Sequence, residues 1–104
     1  MNITHELRKE LVLMLGDAKE LPYPVLEKRT RTSFRHAYQS DKHLRSASIT
    51  PTFFHAVFAA LRHEQLIARR VERGRPLYSL TPQGQQQYQE LDTLYRLSVG
   101  ELVA

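Results

Sequence analysis

The chain of 104 residues contains no cysteine, so disulfide bonds and metal sites built on thiolates are excluded. It has no apolar run near the ~20 residues that span a bilayer, and its first ten residues lack the basic-then-apolar order of a secretory signal. We therefore expect a cytoplasmic protein that does not bind membranes. Its apolar fraction of 41% and charged fraction of 25% are typical of globular proteins, and residues 1–104 are expected to form a single domain.

Patterns for catalysis and metal binding are missing as well. The five histidines form no pair at the i, i+4 spacing of a helical metal site, since His55 and His63 are eight residues apart and His36 and His43 are seven apart. There is no glycine-rich phosphate loop and no set of nucleophile, base and orienting residue. The sequence therefore predicts a protein that is not an enzyme and has neither a metal nor a cofactor.

Positive charge is concentrated in the middle of the chain. Between Lys28 and Arg75 there are eleven Lys and Arg against three acidic residues, a net charge of +8, whereas residues 1–27 and 76–104 each carry −2. A basic segment of this kind attracts a polyanion, although many proteins are mildly basic without a specific partner. Charge distribution alone therefore favours a nucleic-acid partner without identifying one.

Two helices are predicted in the first 38 residues. The first is expected from His5 to about Leu15, with Thr4 as its N-cap and Gly16 at its exit. Its apolar face consists of Leu7, Leu11, Met14 and Leu15. The second is predicted over residues 24–38, because a proline is tolerated in a first helical turn. One side of this helix is basic, with Lys28, Arg31 and Arg35. Residues 39–48 are polar and are predicted to form a loop.

The third helix has the clearest signals. Thr50 is a preferred N-cap, Pro51 stands at the first helical position, and Ile49 and Phe54 are spaced as a hydrophobic staple. At 100° per residue one face is apolar, formed by Phe54, Val57, Phe58 and Leu61. The opposite face is Thr52, Ala56, Ala59 and His63, flanked by Phe53, His55, Ala60 and Arg62. A solvated face would be expected to carry Glu and Lys, whereas a face that lies against base edges needs short side chains.

A β-hairpin and a last helix are predicted to follow. The hairpin strands are expected over 66–72 and 75–80, with Gly74 supplying the positive φ of the turn. Four arginines surround its tip: Arg69, Arg70, Arg73 and Arg75. Thr81 and Pro82 repeat the N-cap and proline signal, and the last helix is expected to reach about Ser98. Its apolar positions are Tyr88, Leu91, Leu94 and Tyr95, with Leu102 beyond Gly100.

This order of elements resembles the PadR-type winged-helix transcriptional regulators. The match runs without a gap from Thr50 to Ile67, continues through Gly74-Arg75-Pro76 and Tyr78-Ser79-Leu80-Thr81, and closes at Gly84, covering about a third of the chain. The chain departs from the family pattern in having His55 where a tyrosine is usual and Gln65 where a glycine is usual. The loop before Thr50 is also longer, and the second helix is more basic. The operator type is therefore not carried over.

The resemblance implies a winged helix-turn-helix, mainly α-helical with a small β-hairpin. It would consist of an N-terminal helix over 1–16, the helix-turn-helix and wing over 24–80, and a C-terminal dimerisation helix over 81–104. It further implies a homodimer that binds double-stranded DNA through the third helix and the wing. The interface residues expected are Leu7, Leu11, Tyr88, Leu91, Leu94, Tyr95 and Leu102, although Tyr88, Leu91 and Tyr95 could instead pack on the first helix.

The leading hypothesis is a sequence-specific DNA-binding transcriptional regulator, most simply a repressor that binds a palindromic operator as a dimer. The major-groove residues expected are Thr52, His55, Ala56, Ala59 and Arg62, with Thr50 and Phe53 beside them in the first turn. Flanking phosphates or the minor groove are assigned to Arg69, Arg70, Arg73, Gly74 and Arg75, and the DNA backbone to Lys28, Arg31 and Arg35.

Each assignment has a simpler alternative. The wing arginines could solubilise an exposed turn, the basic side of the second helix could be a solvated face, and Phe53 could pack against the second helix. Two other functions also remain open. One is a plasmid or phage DNA-binding accessory protein acting in partition, replication or termination. The other is an adaptor that binds proteins and no nucleic acid, which the small, basic face of the third helix disfavours.

Overall fold

The computed structural model describes residues 2–37 and 49–103, with side chains up to Leu94. Within these residues the elements are α1 (Ile3–Ala18), β1 (Glu20–Leu21), α2 (Tyr23–Ala37), α3 (Pro51–His63), β2 (Ile67–Glu72), β3 (Arg75–Leu80) and α4 (Pro82–Val103). The loop predicted over 39–48 lies outside the described residues, as does position 38, the expected end of the second helix.

Helix α1 is the centre of the fold and is longer than the sequence indicated. Its N-cap is Asn2 and not Thr4: the Asn2 Oδ1 accepts a hydrogen bond from the backbone N–H of Thr4 at 3.0 Å. The helix continues through Gly16 and ends at Ala18, followed by the C-cap residue Lys19, whose φ is 73°. It packs against α2, α3, α4 and β3. Its buried residues are Leu7, Leu11, Val12 and Leu15.

Helices α2 and α3 each bury one stripe against this centre. The prediction that Thr50 caps α3 is confirmed, since its Oγ1 accepts a hydrogen bond from the backbone N–H of Phe53 at 3.0 Å and Pro51 occupies the first helical position. The predicted apolar face of α3 is also the buried one. The buried residues are Leu26, Thr30 and Phe34 in α2, and Phe54, Val57, Phe58 and Leu61 in α3.

Strands β2 and β3 form the predicted hairpin, paired from Ile67 opposite Leu80 to Glu72 opposite Arg75. The two turn residues have positive φ, 52° at Arg73 and 77° at Gly74, which is the backbone of a type I′ turn and suits the twist of a two-residue hairpin.

A third strand was not predicted. Strand β1 pairs antiparallel with β3, so that the sheet order is β1-β3-β2. Two residues are too few to produce an alternating pattern in the sequence. The short strand nevertheless matters for the wing, because it brings Glu20 to the edge of the hairpin.

These elements form a winged helix-turn-helix, as the sequence predicted. Helix α4 leaves the sheet after β3 and returns along α1. It ends at Val103, beyond the expected end near Ser98. No helix among the described residues is long and apolar enough to cross a membrane.

Candidate nucleic-acid interface

Helix α3 presents a continuous face of small and polar side chains to solvent. The five residues predicted for the major groove are all exposed: Thr52, His55, Ala56, Ala59 and Arg62. Their spacing of three and four residues places them in one stripe along the helix. No acidic residue interrupts this stripe, so it can approach an anionic surface closely.

The two first-turn residues contribute less to this face. Thr50 is exposed, but its hydroxyl accepts the backbone N–H of Phe53 as the helix cap. Phe53 is half-buried and packs against the hydrophobic core, in line with its alternative role as a packing residue.

A cluster of aromatic rings packs on the buried side of α3. Tyr23, the first residue of α2, meets Phe58 edge-on with ring centroids 4.9 Å apart and Phe54 at 5.7 Å. Phe58 in turn meets Tyr78 of β3 at 4.9 Å. Edge-to-face packing at these distances is favourable because ring edges and faces carry opposite partial charge. The cluster ties the start of α2, the middle of α3 and the base of the wing into one unit.

Two polar side chains of the exposed face are held by this cluster. The Tyr23 hydroxyl lies 3.4 Å from His55 Nδ1, and the Arg62 guanidinium lies over the Tyr78 ring at 5.6 Å from its centroid, within the range of a cation–π contact. Burial raises the pKa of Tyr23, and the charge of Glu27 adds to this shift, so the hydroxyl keeps its proton. The sequence did not single out Tyr23, whose only distinguishing feature is its position between two prolines.

The strand register divides the wing arginines between two faces. Arg69 pairs with Tyr78 and Arg70 with Leu77, and directly paired residues share a face while successive residues alternate. Arg69 therefore lies on the same face as Tyr78, whose ring contacts Phe58 of α3. Arg70 lies on the opposite face.

Arg70 is held by an ion pair on that opposite face. Its Nε and Nη2 donate to the two carboxylate oxygens of Glu20, both at 2.6 Å, and Nη2 also donates to Glu72 at 3.2 Å. The hydrogen bonds from Arg70 lower the pKa of Glu20, and those from Glu20 raise the pKa of Arg70. The guanidinium is thus already partly neutralised, which makes Arg70 a weaker candidate for phosphate contact than the sequence suggested.

The other wing arginines carry free charge. Arg69, Arg73 and Arg75 are exposed, and none of them forms an ion pair with the residues whose side chains are described. Gly74 is exposed in the turn between Arg73 and Arg75, and apart from Gly74 itself and these two neighbours no atom lies within 4 Å of the position that a Cβ would take there. The tip can therefore approach a partner through both backbone and side chains.

The basic side of α2 is similarly divided. Lys28 and Arg35 are exposed, whereas Arg31 forms an ion pair with Glu27 one turn earlier at 3.2 Å. All three side chains line one shallow groove on this side of the helix. The basic side of α2 thus carries two exposed cations and one arginine paired within the helix.

The residues expected at a dimer interface fall into three groups. Leu7 and Leu11 are fully buried in the core of their own chain, so they offer no surface to a partner. Tyr88 and Leu91 are half-buried against that core, and the Tyr88 hydroxyl donates to Asp17 Oδ1 at 2.6 Å. Leu94 is 62% exposed. The side chains of Tyr95 and Leu102 lie outside those described.

Comparison with known proteins supports the fold. The chain matches no protein-family model, and no curated protein matches its sequence. Among solved structures, SSV1 F-93 superposes with a TM-score of 0.67 at 18% identity, over 90% of this chain and 86% of that one. A transcriptional regulator from Clostridium thermocellum, Cth-833, gives a TM-score of 0.54 at 17% identity, over 94% and 88%. At these identities the likeness establishes the winged-helix fold.

No group of three or more His, Asp or Glu among the residues that the structure describes could hold a metal ion. The exposed face of α3 meets the basic hairpin where Arg62 lies over the Tyr78 ring.

Proposed function

We propose that this protein is a transcriptional regulator that binds double-stranded DNA, with α3 in the major groove and the wing on the flanking backbone or minor groove. The observation that carries this proposal is the arrangement of α3 and the hairpin. Arg62 on the acid-free face of α3 lies over the ring of Tyr78, and Tyr78 is the strand partner of the exposed arginine Arg69. The width of an α-helix fits the major groove, and arginine offers a planar fork to phosphate and guanine.

The residues divide by role. Thr52, His55 and Arg62 supply donors and acceptors to base edges, while Ala56 and Ala59 permit close approach. Arg69, Arg73 and Arg75 neutralise phosphates on the wing side, and Lys28 and Arg35 do so on the α2 side. The similarity to a solved transcriptional regulator and the PadR-like residues between Thr50 and Gly84 favour regulation of a promoter, and we assign the simplest mode, repression by occlusion.

We further propose that the protein acts as a homodimer through α4. Leu94 is exposed beside an open groove of about 700 Å³ between α1 and α4, whose apolar lining is Val12, Leu13, Leu61, Leu91 and Leu94. A second copy that placed its α4 here would bury apolar surface worth about 25 cal/mol per Å². A two-fold dimer would present two α3 helices about one DNA turn apart, roughly 34–36 Å, and so would select a palindrome.

Selection of bound sequences from a random duplex pool, followed by titration of the selected site at several salt concentrations, tests the proposal. An enriched palindrome is expected, together with log K that falls linearly with log salt at a slope of about −0.9 per phosphate contact. Binding that is absent at low salt, or that does not respond to salt, would refute the nucleic-acid function and favour an adaptor. Salt-dependent binding without sequence enrichment would instead favour a DNA-binding accessory protein.

A further inference from the structure

One side chain on the exposed face of α3, His55, contacts a side chain of another helix, α2. His55 projects from the first half of α3, and its Nδ1 faces the hydroxyl of Tyr23 in α2 at 3.4 Å. The two rings are 6.0 Å apart between centroids. Nε2 is the ring nitrogen not engaged by Tyr23, and the His55 side chain is exposed. The contact joins residues 32 positions apart in the sequence.

The position of the Tyr23 hydroxyl is fixed by the core and not by His55. The Tyr23 ring packs edge-on against Phe58, Phe54 and Tyr78 at centroid distances of 4.9, 5.7 and 6.5 Å. With its ring held on these sides, the phenol has little freedom to move away from the imidazole. Because a phenolic O–H is a good donor and an unprotonated imidazole nitrogen is a good acceptor, the favourable arrangement is Tyr23 O–H donating to Nδ1.

We propose that Tyr23 is a positioning residue that keeps the proton of neutral His55 on Nε2, so that α3 presents a fixed N–H donor to an acceptor on a base edge. Neutral imidazole has one protonated and one unprotonated nitrogen, and the partner of one nitrogen determines the state of the other. In the major groove such a donor fits guanine O6 or N7, adenine N7 or thymine O4, and it is mismatched with the N4 amino group of cytosine. The base contact rests on the proposed function, whereas the tautomer is a property of the free protein.

Nuclear magnetic resonance of the free protein tests the tautomer. In protein labelled with ¹⁵N-histidine, measured at an alkaline pH where histidines are ordinarily neutral, we expect His55 to show a protonated Nε2 and an unprotonated Nδ1. Tyr23→Phe keeps the ring packing and removes only the hydroxyl, so it should convert this signal into a mixture of both tautomers. His55→Gln identifies the signal by removing it.

Tyr88→Phe is the matched control. It removes a hydroxyl that donates to Asp17 and not to His55, and it should leave the His55 signal unchanged. A proton on Nδ1 in the wild-type protein, or the same Nε2–H population after Tyr23→Phe, overturns the proposal.

Sequence selection tests the consequence for DNA. Tyr23→Phe and His55→Ala should relax discrimination at the same base pair, by roughly three- to tenfold, the range expected for one hydrogen bond. The double variant should lose no more than His55→Ala alone, because coupled residues are not additive. The salt slope of Tyr23→Phe should equal that of the wild type, since no phosphate contact is removed.

Two other results would count against the proposal. A Tyr23→Phe variant that binds all sequences more weakly with a smaller salt slope means that Tyr23 itself contacts phosphate, which overturns its role in positioning His55. A wild-type protein that binds no duplex overturns the proposed function and the base contact with it. The tautomer measurement would in that case still decide whether Tyr23 sets the proton of His55.

Discussion

Glu20 and Arg70 form a two-pronged ion pair, with both N–O distances at 2.6 Å, that joins β1 to β2 across the intervening strand β3. The pair separates two arginines that are neighbours in the sequence. Arg69 lies on the face shared with Tyr78, and Arg70 is bound to Glu20 on the other face. The strand register thus decides which of the two arginines is paired with a carboxylate.

We expect the wing arginines to differ in their contribution to DNA binding. Arg69→Ala and Arg73→Ala should each reduce the magnitude of the salt slope by about 0.9, the value of one phosphate contact, whereas Arg70→Ala should change it little. Glu20→Gln removes the carboxylate that competes for Arg70 and should make the slope steeper. Binding titrations over a range of salt measure all four variants. An Arg70→Ala effect as large as that of Arg69→Ala would show that the ion pair opens on DNA.

Substitutions on the exposed face of α3 should act on sequence preference. Thr52→Ala and Arg62→Ala should each reduce the difference in binding free energy between the selected site and its mismatched variants. The loss should be roughly 1–3 kcal/mol for a bidentate contact of Arg62 and about 0.5–1.5 kcal/mol for the single hydroxyl of Thr52. Gln89→Ala, an exposed position on α4, is the control and should leave preference intact. If the α3 variants retain full preference while the wing variants lose it, the roles assigned to helix and wing are reversed.

The proposed dimer predicts a position-specific effect of charge on α4. Leu94→Glu should dissociate the dimer, because it places a carboxylate in an apolar interface, while the exposed neighbour Thr93→Glu should leave it intact. Light scattering at micromolar concentration measures the mass of each. A monomeric wild-type protein would show that there is no such dimer. A dimeric Leu94→Glu variant would show that the interface lies elsewhere.

Gly16 is required by packing and not by backbone conformation. A Cβ at this position would overlap the Tyr88 ring, including atoms close to its backbone, and the Tyr88 hydroxyl is bound to Asp17. Although alanine favours a helix by about 1 kcal/mol over glycine, Gly16→Ala should lower the free energy of unfolding by about 1–3 kcal/mol through overpacking. Denaturant unfolding measures this loss, and combining it with Tyr88→Ala should relieve most of the clash. Additive losses in the double variant would contradict the explanation.

Gln65 stands where the PadR-type pattern usually has a glycine, and its backbone conformation is strained. Its φ is 62°, a left-handed conformation that a residue with a Cβ adopts at a cost of about 1–2 kcal/mol. Gln65→Gly should therefore raise the free energy of unfolding by about 1 kcal/mol, once the greater freedom of glycine in the unfolded chain is subtracted. Gln65→Ala should give no such gain. Equal stability of the two variants in thermal unfolding would mean that the turn is not strained.

Local signals predicted much of the fold because they act over a few residues. The Thr50 hydroxyl reaches the N–H of Phe53 within one turn, and the Arg73-Gly74 pair closes the hairpin by its own backbone conformation. The exposed face of α3 followed from helical periodicity in the same way. The start of α1 shows the limit of such signals, because Asn2 and Thr4 are both residue types that cap helices. The helix begins at Ile3, earlier than predicted, and Ile3 packs against the core.

Contacts between distant parts of the chain were decided only by the tertiary structure. The sequence does not indicate that Glu20 neutralises Arg70, which is 50 residues away, or that Tyr23 reaches His55. It also predicted interface roles for Leu7 and Leu11, which are buried in the core of their own chain. An amphipathic stripe indicates that one helix face is covered by other apolar surface. The same apolar spacing occurs in the core of a chain and at an interface between subunits. Only the positions of α2, α3 and α4 around α1 determine which faces are already covered within the chain.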